Sequence, residues 1–147
     1  LLDYFNVNVL PTSLLLDHIV RNFRGRNSPV KIIHLSSIYS VKSPKHYLYD
    51  NSCKPAGYGA TKAATNHLIK HYSLLYPDLL CGVNLIIGGV ASGREDAEFV
   101  SAYSAHAPLG SMIDAEMLVP AIVSTANTIT KLSVGSDIYL DGGWSQW

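Results

Sequence analysis

Three short apolar runs set the limits on what this chain can fold into: VKIIHL (Val30 to Leu35), CGVNLII (Cys81 to Ile87) and SDIYL (residues 136–140). The first is a β-branched run and the second apolar at most positions, neither alternating strictly with polar residues, which suits strands buried on both faces. Stretches long enough for a helix separate them, so the strands must be joined by crossovers. Such strands pair in parallel with helices on both faces, an α/β doubly wound parallel sheet. The 147 residues suit one domain over 1–147, and no internal repeat or low-complexity tract interrupts the pattern.

Between the runs, the apolar positions Leu14, Leu15, Leu16, Ile19, Val20 and Phe23 recur at helical spacing ahead of Gly25 and predict a helix from Asn8 to Arg24. Pro11 has no N–H, so the Val7 carbonyl lacks its i+4 partner and the helix should be irregular beside Asn8. YGATKAATNHLIKHYSLLY, Tyr58 to Tyr76, favours a second helix that stops at Pro77. Its apolar positions fall on more than one side, Ala60, Ala64 and Leu68 on one and Ile69, Tyr72 and Tyr76 on another. One side should face the sheet and the other a partner. Arg94 to Ala107 reads as a mixed, mobile segment, and Asp114 as the cap of a helix to Ile129 kinked at Pro120. A polar loop with Pro44, Asp50, Asn51 and Pro55 links the first strand to Tyr58.

Eleven basic residues balance eleven acidic ones, which argues against a nucleic-acid or anionic-membrane partner and for a small molecule. Cys53 and Cys81 have neither CxxC spacing nor the density of a disulfide scaffold; they read as a loop thiol and a buried strand thiol, and a reducing cytoplasm is the expected location. No 18-residue apolar run is present. His67 and His71 stand four apart without the glutamate of an HExxH motif, so no metal is expected.

Tyr58 and Lys62, four apart on a predicted helix, emerge on the same face about one turn from each other. A phenol ionises near pH 10 in water, and an adjacent ammonium favours the phenolate, so such a pair suits acid–base work. Ser36 and Ser37 end a buried strand, where open parallel sheets hold their ligands, although strand-end hydroxyls also cap backbone groups. Asn6 or Asn8 stands at the start of the first helix, where an asparagine is also a cap.

The ordered motifs KIIHLSSIYS, YGATK, CGVNLIIGG and GSDIYLDGGWSQW resemble the short-chain dehydrogenase/reductase family over nearly the whole chain. The resemblance implies a Rossmann-like fold and an NAD- or NADP-dependent oxidoreductase that interconverts a carbonyl and a secondary alcohol. It implies that Ser37 binds the substrate oxygen, Tyr58 exchanges its proton, and Lys62 binds the nicotinamide ribose and lowers the tyrosine's pKa. Asn8 matches the asparagine whose helix irregularity holds a water linked to the lysine. Tyr58, Lys62, Gly88, Gly89 and Val90 are then the cofactor-binding positions. A homodimer or homotetramer through the helices Asn8–Arg24 and Tyr58–Tyr76 is also implied.

Members begin with a glycine-rich nucleotide-binding half, and neither GxxxGxG nor GxGxxG occurs here. The chain, opening at Leu1 inside what reads as an amphipathic element, is therefore expected to be the C-terminal catalytic half of a longer protein and inactive alone. Three departures matter: Gly88 replaces the family's proline, which should loosen the nicotinamide loop, Pro11 stands where a small residue is common, and the loop between Ser37 and Tyr58 is long. That loop resembles bacterial members of sugar and nonulosonic-acid pathways, and Lys42, Lys45, His46, Tyr47, Tyr49 and Lys54 are its candidates for a polar or acidic substrate. Arg94 to His106 resembles the substrate lid. The competing reading is a non-catalytic dehydrogenase-like dimerisation or binding module.

Overall fold

A computed structural model describes residues 1–49 and 54–147. β1 (Val30–Leu35), β2 (Leu80–Ile87) and β3 (Asp137–Leu140) form one parallel sheet in the order β1-β2-β3. Val30 stands opposite Leu80, and Asn84 opposite Asp137. The helices are α1 (Leu2–Tyr4), α2 (Leu10–Asn22), α3 (Ala56–Leu75), α4 (Ala97–His106) and α5 (Ala115–Thr128).

The period-two geometry of a strand distributes the apolar runs between two cores. Ile32 and Leu80 pack with Leu16, Ile19, Val20 and Ile69 of α2 and α3. Ile33, Leu85, Ile87, Ile138 and Leu140 pack with Leu118 and Ile122 of α5 on the opposite face. β2 is buried at every position, as a doubly covered central strand must be. Gly82 lets α3 approach it closely, since a Cβ there would stand 2.5 Å from Ser73 Oγ and 2.7 Å from Ile69 Cγ2.

The helix expected from Asn8 starts earlier, because Asn8 lies inside a continuous helical stretch from Leu2 to Asn22. Phe5–Val9 is a π-helical turn in which Leu10 N–H donates to Phe5 O, an i+5 bond. The turn widens two residues ahead of Pro11, where the missing N–H removes the ordinary ladder bond. Arg94 to Ala107, read as irregular, holds α4. Asp96 opens it by accepting from Phe99 N–H at 2.7 Å, and Tyr103 and Ala107, four apart, are buried. Asp114 caps α5 as expected, accepting from Glu116 N–H. The loop after β1 contains two 3₁₀ turns, Ile38–Ser40 and His46–Leu48; Asp50, Asn51 and Cys53 lie outside the described residues. Leu68 does not mark a separate side of α3 but joins Ile69, Tyr72 and Tyr76 against the α2 core.

Candidate active site

The carboxyl end of β1 delivers two serines to different surroundings. Ser36 N–H extends the ladder to Leu85 O at 2.8 Å, and its hydroxyl turns back to Ser40 Oγ at 3.2 Å. Ser37 Oγ instead accepts from Tyr39 N–H at 3.2 Å and opens the 3₁₀ turn, which leaves its own O–H to donate elsewhere. The turn is anchored by Ser40 Oγ, which donates to Ser37 O at 2.6 Å and accepts from Asn66 Nδ2 of α3 at 2.8 Å. Gly59 lets α3 meet the turn. A Cβ there would lie 2.5 Å from the Tyr39 carbonyl oxygen.

Tyr58 and Lys62 project from the first turns of α3 into the same space. Lys62 Nζ donates to Leu35 O at 2.9 Å, and burial lowers its pKa. His34 is pushed from 6.5 down to about 4, first by burial and then by the Lys62 charge, and its Nε2 lies 2.9 Å from Thr65 Oγ1. An unfolded chain takes up a proton at His34 below about pH 6.5, the folded chain only near pH 4. Stability from this group is therefore complete above pH 6.5 and declines as pH falls toward 4. Urea midpoints should drop between pH 7 and pH 4.5, and His34→Gln should flatten that part of the profile; an unchanged slope in the variant would remove His34 as its source.

Ser37, Tyr58, Lys62, Gly88, Gly89 and Val90 line one cleft of ≈ 590 Å³. Asn8 is not in its wall. It neither starts a helix nor caps one; its Nδ2 donates to Thr61 Oγ1 at 3.0 Å. Thr61, wholly buried, donates in turn to Gly57 O at 2.7 Å. Thr61 was silent in the sequence because a threonine inside a helix carries no signal until the partner helix is known. Its hydroxyl joins the π-helical turn to the backbone that carries Tyr58.

The Gly88–Val90 wall is tied rather than loosened by the glycine at 88. Gly88 N–H donates to Leu140 O at 3.1 Å, Ile113 N–H to Gly89 O at 2.8 Å, and Gly89 N–H to Tyr103 Oη at 2.5 Å. A Cβ on Gly88 would press on Asp141 Cα and Tyr103 Oη, both at 3.0 Å. Tyr103 was missed in the sequence; the spacing Phe99–Tyr103–Ala107 was the available sign of a buried helix face. Burial raises the Tyr103 pKa.

Of the loop candidates, Lys54 and Tyr49 line the cleft, and Lys54 Nζ stands 5.7 Å over the Tyr58 ring. Tyr39 and Tyr49 join hydroxyl to hydroxyl, and burial followed by this bond drives the Tyr39 pKa up. Phe99 lies 5.3 Å from the Tyr49 ring, and Arg94 completes that side. Lys45 points elsewhere, to His106 Nε2 at 2.7 Å and the Trp144 ring at 5.4 Å. His67 and His71 stack on the exposed face of α3.

No protein-family model matches the chain. Among curated proteins it is similar to the post-translational flagellin modification protein A of Campylobacter coli, with 27% identity over 124 residues, 83% of this chain and 48% of that protein. A short-chain dehydrogenase from Leptospira borgpetersenii with bound NAD+ superposes with a TM-score of 0.85 at 24% identity, over 96% of this chain and 54% of that one. The chain has the short-chain dehydrogenase fold. A gluconate 5-dehydrogenase from Burkholderia cenocepacia, in complex with NADP and tartrate, shares it with a TM-score of 0.79 at 21% identity, over 99% of this chain and 57% of that one. The chain thus spans about half the length of these relatives. In the short-chain dehydrogenase fold the cleft takes the place expected of a ligand site, outside the carboxyl ends of parallel strands. Among the described residues, no helix is long and apolar enough to cross a membrane.

Proposed function

We propose that this chain carries the catalytic residues of an NAD- or NADP-dependent oxidoreductase that interconverts a carbonyl and a secondary alcohol. The observation behind this reading is the convergence of Ser37, Tyr58 and Lys62 on one cleft whose opposite wall is Gly88 to Val90. The residues present fit the nicotinamide–ribose end of such a cofactor. Lys62 has three donors, of which Leu35 O takes one, leaving two for ribose hydroxyls. When bound, the nicotinamide supplies or accepts the hydride. Ser37 holds the substrate oxygen through its remaining O–H, and Tyr58 gives that oxygen its proton or takes it away. Thr61 and Asn8 keep the first turn of α3 in register with the π-helical turn.

A hydroxylated substrate suits the rim. Lys54 and Arg94 offer cations there and Glu95 and Asp96 carboxylates, and the hydroxyl-paired Tyr39 and Tyr49 share that lining with the Phe99 ring. The gluconate named for one structural neighbour is a molecule of this class. Val7, Leu10 and Leu14, each more than half exposed, form an apolar stripe on the first helical stretch that fits self-association with α2 and α3 at the contact. Light scattering should report a dimer or tetramer, and a monomer at micromolar concentration would contradict that part.

The deciding experiment is a fluorescence titration of the natural polypeptide with NADH and with NADPH, followed by a screen of hydroxylated keto acids. One of the two nucleotides should bind, and Lys62→Ala should weaken it by about tenfold or more, the effect of losing a charge-assisted hydrogen bond. Failure of the intact protein to bind either nucleotide would end the oxidoreductase reading.

A further inference from the structure

Two of the ties on the Gly88–Val90 wall are backbone bonds that most residues could make, to Leu140 O and from Ile113 N–H. The third comes from a side chain on another element: Gly89 N–H donates to Tyr103 Oη at 2.5 Å. Tyr103 is 2% exposed, and its ring lies on Trp144 at 5.8 Å between centroids and 17° between planes, so its hydroxyl is held in place. The match is reciprocal. A Cβ at Gly89 would stand 2.8 Å from Tyr103 Cζ and 2.9 Å from Cε2. The phenol therefore requires glycine at 89, and the glycine amide uses the phenol. On the far side Ala91 N–H donates to Ile113 O at 2.9 Å, which leaves Val90 as the apex between two fixed amides.

We infer that Tyr103 is a positioning residue for the nicotinamide ring: its hydroxyl fixes the Gly89 amide and so sets the wall from Gly88 to Val90 against which the ring lies. The inference rests on the oxidoreductase reading above. A Gly-Gly pair has more backbone freedom to lose than any other dipeptide, so such a wall is well placed only if something outside the strand holds it. Tyr103 does so from α4 and itself lines the cleft beside Phe99 of the same helix, so the exchange rate of the Gly89 amide is the readout that tells positioning from direct contact. The contact thus joins the substrate side of the cleft to the cofactor side.

Tyr103→Phe removes the hydroxyl and keeps the ring. In the full-length natural protein, NADH or NADPH, whichever the wild type binds, should bind about tenfold more weakly to this variant. ADP-ribose, which lacks the nicotinamide, should bind unchanged. Hydrogen exchange at the Gly89 amide should accelerate while that of β2 stays protected. Gly89→Ala pushes on the same contact from the other side and should give the same split between the two ligands, so the test stands even if Tyr103→Phe fails to fold. Equal nucleotide affinity in variant and wild type would overturn the inference, as would an equal loss for ADP-ribose, which would mark a purely structural role. A wild type that binds neither nucleotide would remove the oxidoreductase reading and this inference with it, an outcome recognised from the wild-type titration alone.

Discussion

Tyr58→Phe is expected to lower turnover by about 10³-fold, within the range that a positioned acid–base group contributes, and to leave the melting temperature nearly unchanged. The substitution deletes one oxygen from a side chain that is only partly buried, and it keeps the ring beneath Lys54 Nζ. The contacts that seat the residue belong to its neighbours: Asn8 to Thr61, Thr61 to Gly57 O, and Lys62 to Leu35 O. None of them uses the phenol. Nucleotide affinity should therefore survive while kcat falls, and the two are separable by titration and by turnover with the same substrate. Wild-type turnover by a folded Tyr58→Phe protein would remove Tyr58 from the chemistry, and with it the reason for placing Ser37 and Lys62 there.

What could be read from the sequence followed from which interactions are local. β2 was legible because a strand covered on both faces needs apolar residues at successive positions, and CGVNLII supplies them. VKIIHL gave a strand too, but β1 is an edge strand with no buried position and with Lys31 and Leu35 exposed, not the strand buried on both faces that its sequence suggests. The irregular helix beside Asn8 was legible because Pro11 removes a specific backbone bond, whatever packs around it. Residues whose roles depend on distant partners were not legible. Tyr103 matters through Gly89, fourteen positions away, and Thr61 through Asn8, fifty-three away. α4 was misjudged for the same reason, since its apolar face is short and its cap, Asp96, sits among other acidic residues. The sequence suggests a loosened loop at Gly88, whereas its N–H donates to Leu140 O and a Cβ there would press on Asp141 Cα and Tyr103 Oη at 3.0 Å.

Gly59→Ala is expected to damage both stability and turnover, against the preference of the helix that contains it. Alanine in a helix interior is favoured over glycine by about 1 kcal/mol, so α3 alone would gain. The added Cβ, however, would lie 2.5 Å from the Tyr39 carbonyl oxygen, a backbone atom with little room to retreat. Its turn is anchored to α3 itself through Ser40 and Asn66 and to the sheet through Ser36 N–H. Overpacking of this kind costs about 1–3 kcal/mol, enough to cancel or outweigh the propensity gain. The functional loss should be larger than the loss of stability, because the same turn begins at Ser37 while Tyr58 precedes Gly59 directly. Driving the two backbones apart separates the two groups that, in the proposed chemistry, share one substrate oxygen, and a misplacement of about 1 Å costs on the order of 10²-fold in rate. Gly57→Ala is the informative comparison. A Cβ there would meet the ring of Tyr4 at 2.8 Å, a partly exposed side chain rather than a backbone atom, which can swing aside. Turnover should persist in Gly57→Ala and fall in Gly59→Ala; equal activity in both would mean that the close approach of α3 to the Ser37 turn is not what aligns the site.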